Sequence, residues 1–327
     1  MAVGSGLGAS LGFVKEGTWG TYATPTKFLP AKSFVISRDA QRQQGTGLRN
    51  GRHGPLAAHY VETTQAAKGT VTLDAQTNLM GQLYEALMGA STATNLSGSA
   101  YQQVFTLGDP TGKGLTLQGG VPYRGGTVRP HTLTGGKVTS VEFSCEVGGL
   151  LAVTVNVDGK QWTDAQTLAT PSYVSTKPFH GGQLTAKIGT FGGEASVAGV
   201  RSYSVTIERG MDVGDYTAGN SGLKSEPVLN DYTKISGTLT VDWVDKTTFQ
   251  DRANGTAATS LVLEHVGAVI TGTYTQLHRL TIPSIVFDPN TQNVDGLGEL
   301  TTSWAFNWVD DGTNSPTLTY VTTDTSI

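Results

Sequence analysis

The chain has 327 residues, of which 37% are hydrophobic, only 15% are charged and 43 are glycine, a composition of strands and turns and not of long helices or a disordered tail. A net charge of −4 with no basic stripe speaks against a nucleic-acid-binding surface, and no apolar run reaches the roughly 18 residues that a membrane-spanning helix needs. Cys145 is the only cysteine, so no intramolecular disulfide can form, and the opening "MAVGSGLGASLGFVKEGTWG" lacks the basic stretch and continuous apolar core of a signal peptide.

Taken in order, the predicted elements occur twice. "KEGTWG" (15–20) sets an aromatic between glycines, and "KIGTFG" (187–192) does so again. "KSFVISRDA" (32–40) is a period-2 strand running into Arg and Asp, as is "RSYSVTIERGMD" (201–212). "GTVTLD" (69–74) matches "GTLTVD" (237–242), with Val71 and Leu73, like Leu239 and Val241, on one face. A helix follows in "DAQTNLMGQLYEALMG" (74–89). Leu79, Met80, Leu83, Tyr84, Leu87 and Met88 form its apolar face and Gly89 is its stop signal; "DKTTFQDRANG" (245–255) is a weaker counterpart. "GDPTGKG" (108–114) reads as a hairpin turn, being too short for a phosphate loop and lacking its Ser/Thr. "VEFSCEVGGLLAVTVNVDG" (141–159) and "IVFDPNTQNVDGLGELTTSWAFNWVDDG" (285–312) each give a strand, a Gly-containing connection, an alternating strand and an Asp-Gly turn. Four collinear matches predict a mainly β chain of two tandem units, 1–168 and 169–327, each with a short flanking helix and a long extended loop.

Those loops carry opposite charge. From Arg38 to Lys68 the strand alternation stops, and the segment is expected to be irregular, basic and ordered only against another surface. Its counterpart, 209–234, is acidic. Arg42, Arg49 and Arg52 on one side and Asp212, Asp215 and Glu226 on the other are the candidate inter-subunit residues. Residues 1–168 hold 13 basic against 10 acidic side chains, residues 169–327 hold 9 against 16, and neither Lys nor Arg follows Arg279.

"GFVKEGTWGTYATPTKFLP" (12–30) is similar to the N-terminal signature of the tail tube proteins, or major tail proteins, of long-tailed non-contractile phages, and the order of elements resembles that family over most of the chain. The resemblance implies a β-sandwich or barrel-like unit that forms rings stacking into a hollow tube, through which double-stranded DNA passes without specific binding. It also implies a place in the virion tail after assembly in the host cytoplasm, with tail terminator, tape measure and distal tail proteins as partners. The chain departs from the family's single-unit pattern by holding two units. Three copies would then close a ring of pseudo-sixfold symmetry, with a hexameric ring as the alternative.

No motif argues for an enzyme, a cofactor or a bound metal. "GTGLRNG" (45–51) has the wrong spacing for a dinucleotide fingerprint. Asp288, Asn290, Asn293, Asp295 and Glu299 are hard oxygen ligands in a loop that departs from the calcium pattern. The six histidines lack ligand spacing and read as surface or interface residues, and Cys145 is expected to face the core. The competing function is a β-sandwich adhesin or carbohydrate-binding protein.

Overall fold

The computed structural model describes residues 4–243, 246–294, 297 and 299–327. Among these, the alternating Val/Thr-rich segments form eighteen strands in an antiparallel network, and the fold is mainly β. The N-terminal half contains β1 (Ser10–Glu16), β2 (Lys27–Phe28), β3 (Ala31–Gln44), β4 (Tyr60–Asp74), α1 (Gly81–Met88), β5 (Gly89–Ser97), β6 (Ala100–Leu107), β7 (Gly114–Pro122), β8 (Val128–Glu146), β9 (Ala152–Gly159) and β10 (Gln161–Thr163). The C-terminal half contains β11 (Leu184–Gly189), β12 (Ala195–Ser196), β13 (Val200–Glu208), β14 (Lys234–Asp242), α2 (Gln250–Ala253), β15 (Thr259–Thr271), β16 (Tyr274–Phe287), β17 (Thr301–Trp308) and β18 (Thr317–Thr322).

The pairing order of the first half recurs in the second. In the first, β2, β1, β7, β8 and β10 are successive neighbours, and β3, β4, β9 and β8 form a second row. In the second, β12, β11, β15, β16 and β18 follow one another, and β13, β14, β17 and β16 form the other row. The long strands β8 and β16 belong to both rows. The registers correspond as well: Gly69 lies opposite Ile36, and Gly237 lies opposite Val205. Each outer strand also has a register shift at a basic residue, Lys32 or Arg201, which pairs with the Asp ending the next strand, Asp74 or Asp242. The β5–β6 hairpin has no counterpart after α2.

Helix α1 is shorter than its sequence pattern. Leu79 takes a left-handed φ of 69°, so the helix begins after Met80 and only the last two turns of the apolar stripe are helical. Gly89 ends it at φ 91°, where its N–H donates to the Glu85 carbonyl; a Cβ there would lie 2.3 Å from the Gly108 carbonyl oxygen. Tyr84, on the buried face of α1, has its ring centroid 5.8 Å from Phe105, 5.5 Å from His278 and 5.6 Å from Tyr320. One apolar core therefore runs through both halves.

Three expectations are corrected. The 38–68 segment is irregular only at its tip, between Gln44 and Tyr60: β3 and β4 continue as a paired hairpin up to those residues. Most of its outer residues are exposed on both faces, so no apolar alternation marks the strands; main-chain pairing joins them, with the cross-strand ion pairs Arg38–Glu62 and Lys68–Asp39 on the surface. The turn at 108–114 joins β6 to β7, which are not paired with each other, so it is a crossover and not a hairpin. His265 and His278 are 0% and 1% exposed and sit in the core, whereas His53, His59 and His180 are exposed as expected.

Candidate functional site

The halves meet by strand addition. The C-terminal part of β8 carries β9 on one edge and β13 on the other, from Ser140 opposite Glu208 to Glu146 opposite Ser202. Phe143, Val141 and Cys145 of β8 oppose Val205, Ile207 and Tyr203, all buried, so the ladder is backed by apolar contact. On its solvent side, Ser204 Oγ donates to Glu142 Oε1 at 2.9 Å. A second ladder, β6 on β18, adds the inserted hairpin to the C-terminal half.

Behind this joint, His265 Nε2 lies 2.8 Å from the Tyr203 hydroxyl and its Nδ1 lies 3.2 Å from the His180 carbonyl oxygen. His278 is 6.2 Å from His265 between rings and has no ring-nitrogen hydrogen bond among the described residues. Burial holds both imidazoles below the usual value, His265 to about 4 and His278 to about 3.

Segment 209–234 crosses onto the first half as a strap. The Gln65 N–H donates to the Gly222 carbonyl at 2.8 Å. Lys224 Nζ reaches Asp158 at 2.5 and 2.7 Å, with both side chains buried. Glu226 pairs with Lys137 at 2.6 Å and accepts the Gly112 N–H at 2.6 Å. At the start of the strap, the Arg209 guanidinium donates to the carbonyls of Met88 (3.0 Å) and Gly108 (2.6 Å). Burial lowers the Lys137 pKa, and the Glu226 carboxylate opposes that shift.

Several edges lack a strand neighbour among the described residues, those of the peripheral strands β2, β5, β10 and β12 included. Two of them, the outer edge of β3 and the side of segment 288–294 away from β17, lie at opposite ends of the row that joins the halves. That segment is held to β17 by the Asp288 N–H to the Ala305 carbonyl (2.9 Å) and by Asn290 Nδ2 to the Ser303 carbonyl (3.0 Å). The β3–β4 arm projects beyond the sheet, and its tip, 45–59, is almost wholly exposed.

The family model described as phage tail tube protein matches residues 6–308, nearly the whole chain. The chain belongs to the phage tail tube protein family. A comparison with curated proteins finds no match.

In this tail tube chain the "EGTWG" segment is a structural lock. Glu16, 2% exposed, accepts from the Gly20 N–H (2.7 Å), the Thr116 hydroxyl (2.8 Å) and the Gly135 N–H (2.8 Å). Trp19 Nε1 donates to the Gly135 carbonyl at 2.9 Å, and the Lys160 ammonium lies 5.2 Å over the Trp19 ring. Burial raises the Glu16 pKa against the pull of these donors.

The six sequence-predicted residues are not brought together within one chain. Arg42 lies on the arm, 3.6 Å from Glu62 and over the Tyr60 ring, and Arg49 and Arg52 stand exposed at the tip. Asp212 and Asp215 lie in the strap: Asp212 Oδ1 accepts the Gly214 N–H and the Asp215 carbonyl accepts the Ser225 N–H. Glu226 reaches the first half, but its partner is Lys137. Sequence reasoning missed Lys224, Lys137, Asp158 and Arg209. The signal for Asp158 was a charged residue directly after the inward-facing run Val153, Val155, Val157.

Of the oxygen-rich loop, Asp288 accepts from Asn307 at 3.0 Å and Glu299 pairs with Arg201, while Asp295 lies outside the described residues. Among the described residues no group of three or more His, Cys, Asp or Glu could hold a metal ion, and no helix is long and apolar enough to cross a membrane.

Proposed function

We propose that this chain is a self-assembling structural subunit whose rings stack into the hollow tail tube, the conduit for genome ejection, and that it has no catalytic role. Residues 1–168 and 169–327 act as two tube units in tandem, so three chains complete a pseudo-sixfold ring; six chains would do so if only one half lined it. The observation that carries this reading is the β8–β13 ladder between halves that share one pairing order. A head-to-tail joint between like units is heterologous, and repeating it by rotation closes a ring. Stacking through a different surface then gives an open tube, and the exposed arm tip with Arg49 and Arg52 is the element long enough to reach the next ring.

The acidic excess of the C-terminal half suits a lumen, since phosphate neutralisation is what makes DNA stick. Tail terminator, tape measure and distal tail proteins are the partners such a tube requires at its ends and inside. Its place is the virion tail, after assembly in the host cytoplasm.

Negative-stain microscopy of concentrated protein, with light scattering on dilute protein, tests the reading. Rings or tubes built from multiples of three chains are expected. A stable monomer that never polymerises at any concentration or salt overturns it.

A further inference from the structure

The internal joint is a template for the joint between chains. Phe306 lies opposite Gly237, as Val157 lies opposite Gly69. Phe287 lies opposite Phe306, as Val138 lies opposite Val157. The residues after Phe287 therefore stand where Ser140–Glu146 stand in the first half. There the strand continues and carries β13 on its outer edge. In the second half it stops: Asp288 and Asn290 still reach β17, and 291–294 form no ladder. The counterpart of β13 is β3, whose outer edge is open. Phe34 on β3 is half-buried where its counterpart Tyr203 is 4% exposed under the joint, and Val35 is 61% exposed.

We infer that 288–294 is an acceptor strand that forms only when β3 of a second copy of this chain pairs with it, in the register that places Val35 opposite Gln292 and Ile36 opposite Thr291. The inference rests on the tube reading above. Two features favour a second copy over any other occupant. The donor edge already has its twin, β13, docked on the equivalent site of the same chain. Unlike the open edges of β2, β5, β10 and β12, these two lie at the ends of one continuous row, β3-β4-β9-β8-β13-β14-β17, so head-to-tail pairing extends that row by another ladder.

The two joints differ in chemistry. The internal one sets Phe143 and Val141 against Val205 and Ile207. The acceptor segment "DPNTQNV" offers polar side chains with Pro289 near its start, so the joint between chains is a main-chain ladder with little apolar backing. Pro289 and the exposed polar residues keep this edge from pairing promiscuously in the free chain. The acceptor is thereby the element that separates a soluble subunit from a growing ring.

The test uses the full chain in a Cys145→Ala background. Val35→Cys with Gln292→Cys is treated with a short thiol cross-linker after assembly and compared with each single variant and with the off-register pair Val35→Cys and Val309→Cys. Dimers and closed trimers on a denaturing gel are expected from the first pair alone. In parallel, hydrogen exchange of the unmodified protein is measured before and after assembly. Peptides covering 288–294 and 31–38 are expected to exchange about tenfold more slowly or less in the tube. If tubes form while those peptides exchange as in the free chain, or while the off-register pair cross-links as well, the acceptor strand is wrong and the tube reading stands. If the unmodified protein forms no ring or tube, both fall.

Discussion

Lys224 and Asp158 place a charge pair where almost no water reaches, at 4% and 7% side-chain exposure. Such a pair is costly to break and cheap to replace, because removing one partner strands the other charge. Lys224→Met is expected to lower stability by about 3–5 kcal/mol in urea unfolding, and Lys224→Met with Asp158→Leu to recover most of that loss. Arg201, paired with Asp242 and Glu299 at the surface, is screened by water, so Arg201→Ala should leave the urea midpoint almost unchanged. The histidines make a second prediction at this scale. His265 and His278 are neutral in the fold down to about pH 4 and 3, while the unfolded chain takes up protons below about 6.5. Folded pKa values below the unfolded one mean full stability above pH 6.5 and progressive loss as pH falls towards 4, on the order of 3 kcal/mol per site. The groups facing them, Tyr203, Tyr84 and the His180 carbonyl, offer no carboxylate to hold an imidazolium. Melting temperature against pH should therefore fall steeply on the acid side, and His278→Leu should flatten that limb. An unchanged slope would remove His278 from the account.

The elements were legible in proportion to how much one face of each is buried. Strands with a clean inside and outside, such as β4 beyond Lys68, β9 and β14, can be read from alternation because burial imposes it. The arm could not, since both of its faces meet water, and neither could the polar strap, whose order comes from buried ion pairs. The recurrence of Gly-Thr-hydrophobic-Thr at 69–72 and 237–240 located counterpart strands, and the structure places them in matching registers. Which charges would meet was beyond reach. The basic and acidic loops were matched by sign alone, but the strap's Lys224 and Glu226 pair with Asp158 and Lys137 of the first half. The arm tip is left with solvent, which fits contact with another ring. Replacing 45–59 by Asn-Gly, the two-residue turn that suits a hairpin, is expected to leave the circular dichroism of the free chain β-rich and to abolish tubes while sparing single rings. Tubes of normal length from that variant would show that the arm does not couple rings.

At the scale of the whole molecule, unequal joints set the order in which an assembly comes apart. Each chain keeps one joint backed by Tyr84, Phe143, Tyr203 and His278 and doubled by the β6–β18 ladder. Its contact with the next chain, if β3 docks on 288–294, has neither the aromatic backing nor a second ladder, because no counterpart of the β5–β6 hairpin lies between α2 and β15. Buried apolar area at roughly 25 cal/mol per Å² dominates such comparisons, so the covalently linked pair of units outlasts the ring. A tube titrated with urea should first release folded chains, seen as a drop in light scattering at unchanged circular dichroism. Only at higher urea should the halves unfold, and they should do so together because one core spans them. The first midpoint should rise with protein concentration and the second should not, since only the first step changes the number of particles. A single concentration-dependent transition, with scattering and dichroism lost together, would mean that the chain has no stable fold outside the ring and that the internal joint has no advantage over the joint between chains.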